Sequence, residues 1–287
     1  MTWDDIPRTH SFSLGDFHDF QRCVFRFYVN HHMQKKYELA EGSTNQVIGT
    51  LLDLAVKKLH LTKVYGQPPE YLQNLIKAAE NEIREDVVQR GIKSFYGAQL
   101  PYLTAEVVKQ AGGTFKNYYQ GLEGKIKVMV QTSTTKKLRP FWKKVIYGEE
   151  KMQLWGGPDA IEMGADGVPE IVDYKYFGDL EAGSSNLDMD LMPKVYTLLC
   201  TDELINLGFP KARFAVRMWQ DPGNNDFYEE FDLSSISNME EYFKDKIERI
   251  LRTKSLSFCE RDYCKACQSE KRGDWISELQ LHGWIEK

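Results

Sequence analysis

Two acidic residues on neighbouring predicted strands constrain the fold of this chain more than any other feature. Asp159 begins a short alternating segment at 159–162, and Asp173 stands in a second segment, at 171–175, that ends in Lys175. The glycine-containing stretch 164–167 between them is typical of a tight turn, so the two segments predict a β-hairpin. Adjacent strands bring both carboxylates together, and the two-residue period places Lys175 on the same sheet face as Asp173.

The combination of two carboxylates and a lysine suits metal-assisted hydrolysis of phosphodiesters. A hard cation held by oxygen ligands polarises the phosphoryl group, acidifies a water molecule and neutralises charge in the transition state. Lys175 is expected to orient the attacking water and to stabilise the pentacovalent phosphate. The simpler alternative is that Asp173 and Lys175 form an ion pair on an exposed strand. Ile171 and Val172 argue against it, because they indicate a strand buried on both faces, where an unpaired charge is costly.

The rest of the chain divides into helical and strand-like patterns. A helix is predicted over residues 13–39, with Ser13 as its N-cap, and a second helix begins near Asn45. From about residue 143 a period of two predicts a β-meander that includes the hairpin. The other predicted elements are helices at 69–90, 102–122, 188–207 and 237–252, and a second hairpin formed by 213–219 and 227–231.

Composition places the chain among folded globular proteins. Hydrophobic residues make up 42% and charged residues 28% of its 287 residues, values that disordered chains do not have. No uncharged apolar run of about 18 residues occurs, and the first ten residues lack the regions of a signal peptide. We therefore expect a cytoplasmic protein that does not associate with membranes.

The charge distribution limits how the chain can bind nucleic acid. A net charge of −5 argues against a protein that coats nucleic acid through bulk positive charge. A local basic run remains a candidate groove, in which cations meet phosphates and rings stack on bases. A solvated surface is the alternative for this run. It consists of Lys136, Lys137, Arg139, Lys143 and Lys144, with Phe141 and Trp142 between them.

These motifs resemble the PD-(D/E)XK nuclease superfamily. The order Gly-x-x-Asp159, a loop, and Ile-x-Asp173-Tyr-Lys175 is similar to its motifs II and III. More narrowly the chain resembles the RecB-like branch, which includes AddB-type helicase-nucleases and the exonucleases of CRISPR adaptation. Further matches are the aromatic opening helix at 13–27, a motif I at 49–53, and a Tyr196-containing helix where the branch has Gln-x-x-x-Tyr. The resemblance covers residues 13–60 and 145–270.

The resemblance implies a fold and a division of the chain. The expected fold is an α/β, restriction-endonuclease-like core in which helices flank a central mixed sheet, with a helical insertion. The expected parts are N-terminal core helices at 1–60, the insertion at 61–140, the catalytic core at 141–255, and a cysteine-rich tail at 256–287 that packs on the first helix.

The resemblance also implies a chemistry. Mg²⁺ or Mn²⁺ is the expected metal and DNA the expected partner, as single strands or ends, and a helicase or another nucleic-acid-processing protein is compatible with this. The implied metal ligands are Asp53, Asp159, Asp173 and the backbone carbonyl of Tyr174, and the other implied catalytic residues are Lys175 and Tyr196.

Two positions depart from the pattern of the family. Asp53 stands where the family usually has a metal-binding histidine, and Met192 stands where it has the glutamine. Aspartate is also a metal ligand, so the first departure permits activity with an altered metal preference. The alternatives are that Asp53 is a solvated helix residue and that Tyr196 is a core residue.

The five cysteines indicate a metal site more than disulfides in a cytosolic chain. Cys200 reads as helix core. Cys23, Cys259, Cys264 and Cys267 form a four-thiolate site if the first helix packs against the tail. Some RecB-like nucleases hold a four-iron four-sulfur (4Fe-4S) cluster with one N-terminal and three C-terminal cysteines, so the resemblance implies such a cluster. Zinc and free thiols are the alternatives, since the spacing differs: Gly273 stands where those nucleases have their last cysteine.

The expected activity is therefore Mg²⁺- or Mn²⁺-dependent DNA cleavage by an exonuclease acting on single strands or ends. Two other functions stay open. The missing histidine and glutamine are compatible with a catalytically silent nucleic-acid-binding or scaffold protein on the same fold. The cysteines are compatible with a metalloprotein that does not act on DNA.

Overall fold

The chain forms two compact units, each assembled from separate segments. The computed structural model describes residues 7–34, 42–62, 68–91, 94, 96–121, 142–176, 186–220, 225–259, 261 and 264–286. The first unit consists of Met1–Ala40, Lys143–Gly156 and Ile236–Lys287, and the second consists of Glu41–Trp142 and Gly157–Ser235.

Strands and α-helices alternate irregularly along the described residues. In chain order they are β1 (Ser11–Phe12), α1 (Leu14–Arg22), α2 (Val24–His31), α3 (Thr44–Thr62), α4 (Pro69–Arg90), α5 (Ala105–Gly121), β2 (Trp142–Tyr147), β3 (Lys151–Gly156), β4 (Ala160–Met163), β5 (Pro169–Lys175), α6 (Asn186–Asn206), β6 (Lys211–Met218), β7 (Asn225–Asp232), α7 (Ile236–Arg252), α8 (Lys265–Gln268) and α9 (Arg272–Leu281). The helices predicted near 45, at 69–90, 102–122, 188–207 and 237–252, and both hairpins, are confirmed.

The first predicted helix is interrupted, so the prediction of one continuous helix was wrong. It begins as expected, because the Asp16 carboxylate accepts hydrogen bonds from the backbone N–H and the hydroxyl of Ser13 at 2.7 and 2.6 Å. At Cys23 the backbone is extended, with φ −164° and ψ 108°. The Cys23 thiol accepts a hydrogen bond from the backbone N–H of Arg26 at 3.4 Å, and it therefore caps α2 as a separate helix,. Residues 35–39 lie outside the described part of the chain.

The predicted β-meander is divided between two sheets, and this prediction was also wrong. In the first unit the strand order is β1-β3-β2, and β1 pairs with β3 in parallel. In the second unit a separate mixed sheet has the order β4-β5-β6-β7, antiparallel, parallel and antiparallel in turn. Gly156, with φ 151°, ends β3 before Pro158, which has no N–H to donate to a ladder,. A local period of two cannot tell which sheet a strand joins.

A tight turn fixes the hairpin that carries the acidic residues. The backbone N–H of Gly164 donates to the Val168 carbonyl at 2.9 Å, and that of Gly167 donates to the Gly164 carbonyl at 3.0 Å. Gly167 has φ 82°, a conformation that glycine adopts without steric cost,. The turn thereby sets the register in which Ala160 pairs with Val172.

The helices α3, α4 and α5 share one hydrophobic core with the mixed sheet. Phe115 of α5 is fully buried, and its ring centroid lies 5.7 Å from that of Trp219, which follows β6. Trp219 in turn stacks on Tyr174 of β5 at 4.6 Å. Ile76 of α4 and Val172 of β5 belong to the same cluster. The two helices of the predicted insertion therefore help to support the strand that carries Asp173.

Two expectations from the sequence concern membrane-spanning helices and a basic run that could bind nucleic acid. Within the described part of the chain, no helix is long and apolar enough to span a bilayer. The basic run falls mostly outside the described residues, which do not include 136–141. Of its members, Lys144 pairs with Glu240 at 2.8 Å.

Truncation of Phe115 is expected to destabilise the second unit. Phe115→Ala should lower the free energy of unfolding by about 3–5 kcal/mol, because it removes a fully buried ring and leaves a cavity beside Trp219. Val88→Ala on α4, where Val88 is 85% exposed, should change it by less than about 0.5 kcal/mol. Urea unfolding followed by tryptophan fluorescence measures both, and equal effects would show that α5 does not support the sheet.

Candidate active site

The two acidic residues predicted on the hairpin are adjacent and buried. Asp159, just before β4, is 9% exposed, and Asp173 on β5 is 4% exposed. The backbone N–H of Asp159 donates to the Val172 carbonyl at 3.0 Å. The Asp159 side chain then accepts a hydrogen bond from the backbone N–H of Tyr174 at 2.9 Å. The carboxylate of Asp159 is thus fixed to the residue that lies between Asp173 and Lys175.

Each of these carboxylates contacts a lysine ammonium group. Lys175 Nζ lies 2.5 Å from Asp173 Oδ2, and Lys57 Nζ, from α3, lies 3.0 Å from Asp159 Oδ1. Asp173 Oδ2 makes no hydrogen bond of normal geometry, so its contact with Lys175 is an ion pair. The Lys175 side chain is 43% exposed while that of Asp173 is 6% exposed. Lys175 therefore reaches solvent, where a substrate would approach, while its partner stays buried.

Asp53 and Tyr196 belong to the same electrostatic environment. Burial raises the pKa of Asp53 well above its usual range, and the negative charge of Asp159 raises it further. Burial also raises the pKa of Tyr196, and the charge of Asp173 adds to this effect. The Tyr196 ring packs 6.1 Å from that of Phe214 on β6, so α6 holds it over the sheet. Met192, at the glutamine position of the family, is buried on the same helix.

The carboxylates of this site compete for positive charge. Burial alone would raise the pKa of Asp159, but Lys57 and Lys175 overcome it and lower the pKa below its usual range. Burial raises the pKa of Asp173 despite the attraction of Lys175. Burial would lower the pKa of Lys175, yet Asp173 raises it above its usual range, so this lysine is cationic. Full ionisation of all three aspartates requires more positive charge than the two lysines supply.

The donor set fits a hard divalent cation. Asp53, Asp159 and Asp173 offer oxygen ligands, the type that Mg²⁺ and Mn²⁺ prefer. Their mutual repulsion, visible in the raised pKa of Asp53, is what a bound cation relieves. Their ligand atoms are not gathered as tightly as those of a preformed ion site. In the described part of the chain, only the four cysteines form a group of three or more candidate ligands within 4.8 Å of one another.

A buried ionic network lies on the opposite face of β5. The Tyr174 hydroxyl donates to Glu162 at 2.5 Å, and Arg217 of β6 pairs with both Glu162 and Glu170 at 2.6 Å. Arg213 adds a contact to Glu170 at 3.2 Å. The side-chain alternation of β5 therefore directs Asp173 and Lys175 to one face and Tyr174 to the other. This network ties β4, β5 and β6 together beneath the site.

The structure brings together the four cysteines that the sequence singled out. Cys23 Sγ lies 3.5 Å from Cys267 Sγ, and Cys259 Sγ lies 3.9 Å from Cys267 Sγ. With Cys264 they form a group whose sulfur atoms all lie within 4.8 Å of one another. All five cysteines are free thiols, and Cys200 is fully buried in α6, as expected of a core residue.

Sequence reasoning missed Lys57. The signal was present, because Lys57 follows Asp53 by four residues and both must lie on one face of α3. The family pattern directs attention to the motif I position alone, and a lysine on a helix is usually a surface residue. Its pairing with Asp159 depends on how α3 packs on the sheet, which no local pattern describes.

A mixed sheet that presents two buried carboxylates and a lysine from adjacent strands is an architecture suited to metal-assisted phosphodiester cleavage. The model of the PD-(D/E)XK nuclease superfamily matches residues 11–272, and the chain belongs to that superfamily.

No curated protein matches the chain. Among solved structures, the chain is similar to SSO0001, with 10% identity, coverage of 93% of this chain and 88% of that one, and a TM-score of 0.31. It is also similar to Rai1 of Scheffersomyces stipitis in complex with (3'-NADP)+ and calcium ion, with 14% identity, coverage of 70% and 50%, and a TM-score of 0.22.

Removal of the Lys57 charge is expected to destabilise the protein in a metal-dependent way. Lys57→Met leaves the Asp159 carboxylate without its ion pair, which should cost about 1–3 kcal/mol of unfolding free energy for a mostly buried pair. Mn²⁺ should recover part of this loss, since a cation can take the place of the ammonium group.

The matched control is Lys58→Met on the same helix as Lys57, which removes an ion pair to Glu82 of α4 at 2.9 Å. Urea unfolding in chelator and in Mn²⁺ measures both variants. Lys57 would not be part of the metal site if Mn²⁺ failed to restore unfolding free energy to Lys57→Met. The same conclusion would follow if Mn²⁺ restored an equal amount to Lys58→Met.

Proposed function

We propose that the protein is a metal-dependent DNA exonuclease that acts on single-stranded DNA or DNA ends. The observation that carries the proposal is the linkage of Asp159, through the Tyr174 N–H at 2.9 Å, to the strand on which Asp173 and Lys175 stand. Membership of the nuclease superfamily supports hydrolysis of phosphodiesters. The preference for DNA, for ends and for single strands rests on the resemblance to the RecB-like branch. A cytoplasmic location and a helicase partner stay predictions.

The residues of the site have distinct proposed roles. Asp53, Asp159, Asp173 and the backbone carbonyl of Tyr174 hold Mg²⁺ or Mn²⁺. A divalent cation bound there supplies Lewis-acid polarisation of the phosphoryl oxygen and lowers the pKa of a bound water. Lys57 keeps the Asp159 carboxylate ionised and in place, because it pairs with Oδ1 while the Tyr174 N–H binds Oδ2.

Lys175 and Tyr196 act on the substrate side of the site. Lys175 is cationic and partly exposed, so it can orient the attacking water and offset charge that develops on the phosphate. The raised pKa of Tyr196 keeps its hydroxyl protonated at neutral pH. Tyr196 can therefore donate a hydrogen bond to a phosphate oxygen. The two lysines also reduce the repulsion between the carboxylates and a polyanionic substrate.

A panel of labelled substrates tests the proposal. We expect cleavage of linear single-stranded DNA in Mg²⁺ or Mn²⁺, progressive shortening from an end, and no cleavage of circular single-stranded DNA. Asp173→Asn should abolish cleavage while DNA binding persists, and Lys175→Ala should reduce the rate by about 10²–10⁴-fold.

The control variants keep the charge changes but place them away from the site. Lys211→Ala and Asp232→Asn alter exposed residues at the end of the β6–β7 hairpin and should leave the rate unchanged. Cleavage of circular single-stranded DNA would show that the protein is an endonuclease and not an exonuclease, because a circle has no ends. If Asp173→Asn cleaves at the wild-type rate, the site is wrongly assigned. A wild-type chain that binds DNA and never cleaves it is a silent binding protein.

The role of Asp53 is tested by metal affinity. Asp53→Ala should raise the Mn²⁺ concentration needed for half-maximal cleavage by at least about tenfold, because removal of a ligand or its support typically costs this much affinity. Activity titrations with Mn²⁺ compare the variant with Glu82→Ala, which removes an acidic side chain of α4 that pairs with Lys58. If the Mn²⁺ titration of Asp53→Ala were unchanged, Asp53 would not be a metal ligand.

A further inference from the structure

The cysteine group of the first unit was expected to hold a 4Fe-4S cluster, and its sulfur spacing permits a test of that expectation. A four-iron cubane binds each cysteine at a different corner, so its four cysteine sulfurs are separated by roughly 6 Å. A single tetrahedral zinc ion has Zn–S bonds of about 2.3 Å, which places its sulfurs about 3.8 Å apart. The two arrangements require the same four ligands and differ in size.

The observed sulfur atoms have the smaller spacing. The Cys23–Cys267 and Cys259–Cys267 pairs are 3.5 and 3.9 Å apart, and no pair in the group exceeds 4.8 Å. A cubane would have to push these sulfurs apart by roughly 2 Å. The donor set therefore does not fit the cluster that the resemblance implies.

Hydrogen bonds and ring contacts hold the backbone around the sulfurs and oppose such an expansion. The backbone N–H of Phe25, two residues after Cys23, donates to the Ser257 carbonyl at 3.2 Å. The Phe25 ring lies 5.1 Å from that of Phe258, the residue before Cys259. The Tyr28 hydroxyl donates to the Thr253 carbonyl. These contacts fix α2 to the segment that leads into Cys259.

The other two cysteines are held by a compact turn. The backbone N–H of Cys264 donates to the Arg261 carbonyl at 2.9 Å, and that of Gln268 donates to the Cys264 carbonyl at 3.0 Å. Cys264 thus precedes a single turn of helix, α8, that contains Cys267, and both side chains are directed to one point. Cys23, Cys264 and Cys267 are each less than 5% exposed, so the site is closed, as structural zinc sites are.

Arg272 and the backbone N–H of Arg26 contact the segments that carry the cysteines. Arg272 donates to the Cys267 carbonyl at 3.1 Å, and its guanidinium group lies 5.6 Å from the centre of the Phe258 ring. The backbone N–H of Arg26 donates to the Cys23 sulfur at 3.4 Å. This hydrogen bond favours the thiolate, the form of cysteine that binds metal, although burial raises the pKa of Cys23 above its usual range,.

We propose that Cys23, Cys259, Cys264 and Cys267 bind one tetrahedral zinc ion instead of a 4Fe-4S cluster, and that this ion ties α2 to the C-terminal segment of the first unit. The ion is structural, since four thiolates leave no open coordination position. Because its ligands come from distant parts of the chain, its binding energy contributes to folding. This inference does not depend on the nuclease activity, which uses none of these residues.

Metal analysis of the full chain tests the proposal. Protein produced with both iron and zinc available and purified without oxygen should contain about one zinc ion per chain, no acid-labile sulfide and no brown colour. Iron with sulfide in excess of zinc would overturn the proposal, and so would protein without bound metal. Metal-free protein incubated without oxygen with ferric iron, a thiol reductant and sulfide should form no cluster, and it should instead bind Co²⁺ with the intense visible bands of a tetrahedral thiolate site. Cluster formation in that experiment would also overturn it.

Variants locate the zinc. Cys259→Ser and Cys264→Ser should lose the zinc and melt at a lower temperature, whereas Cys200→Ser should keep both the zinc and the wild-type melting temperature. Asp173→Asn should also keep the zinc, because the cysteines bind it. Loss of zinc in that variant would place the ion at the carboxylates. Zinc that remains in the Cys259→Ser and Cys264→Ser variants would place it elsewhere and overturn the assignment. Wild-type protein that contains the zinc and does not cleave DNA would contradict the proposed function alone.

Discussion

The hydrogen bond from the Tyr174 N–H to the Asp159 carboxylate determines the arrangement of the proposed nuclease site. It joins the residue that precedes β4 to the residue of β5 that separates Asp173 from Lys175. Because side chains alternate along a strand, a fixed Tyr174 also fixes which face receives Asp173 and Lys175. The hairpin turn at Gly167 supports this register, since a slip of one residue would move both side chains to the other face. Two carboxylates that repel each other are thereby held close by the backbone itself.

The opposite face of β5 explains how the strand tolerates such charge. There the Tyr174 hydroxyl, Glu162, Glu170 and Arg217 form a buried network in which each carboxylate has a cationic partner. Burial raises the pKa of Glu162 even so, which shows how strongly this interior disfavours charge. Loss of Arg217 would leave two buried carboxylates without their main partner, a far larger cost than the loss of a surface ion pair. The strand is therefore held by ionic contacts on both faces, with the Trp219 ring stacked on Tyr174 between the network and α5.

The parts of the structure that follow from short-range patterns could be predicted, and those that depend on long-range contacts could not. The hairpin with Asp159 and Asp173 follows from a period of two and a glycine turn, and α4, α6 and α7 follow from helical periodicity. At the break, the Cys23 sulfur accepts the local Arg26 N–H and also contacts the Cys267 sulfur, 244 positions away along the chain, and no local propensity contains the second contact. The same is true of β1, which pairs with β3 across more than 130 residues. Lys57 combines both kinds of feature. The helix face on which it lies follows from its four-residue spacing to Asp53, whereas its contact with Asp159 depends on long-range packing.

The two metal sites proposed for this chain differ in the chemistry that selects an ion. Carboxylates are hard ligands and do not exclude Zn²⁺, which binds most oxygen and nitrogen sites more tightly than Mn²⁺ does. A carboxylate site therefore obtains Mg²⁺ or Mn²⁺ through the higher free concentration of those ions. Four thiolates whose sulfurs lie within 4.8 Å of one another select their metal in two ways. Their softness disfavours Mg²⁺, which binds sulfur weakly, and their close spacing disfavours a cubane cluster. A chain with both kinds of site can hold zinc permanently at the thiolates while the carboxylates exchange ions, because the closed tetrahedral site releases its ion only when the surrounding fold opens.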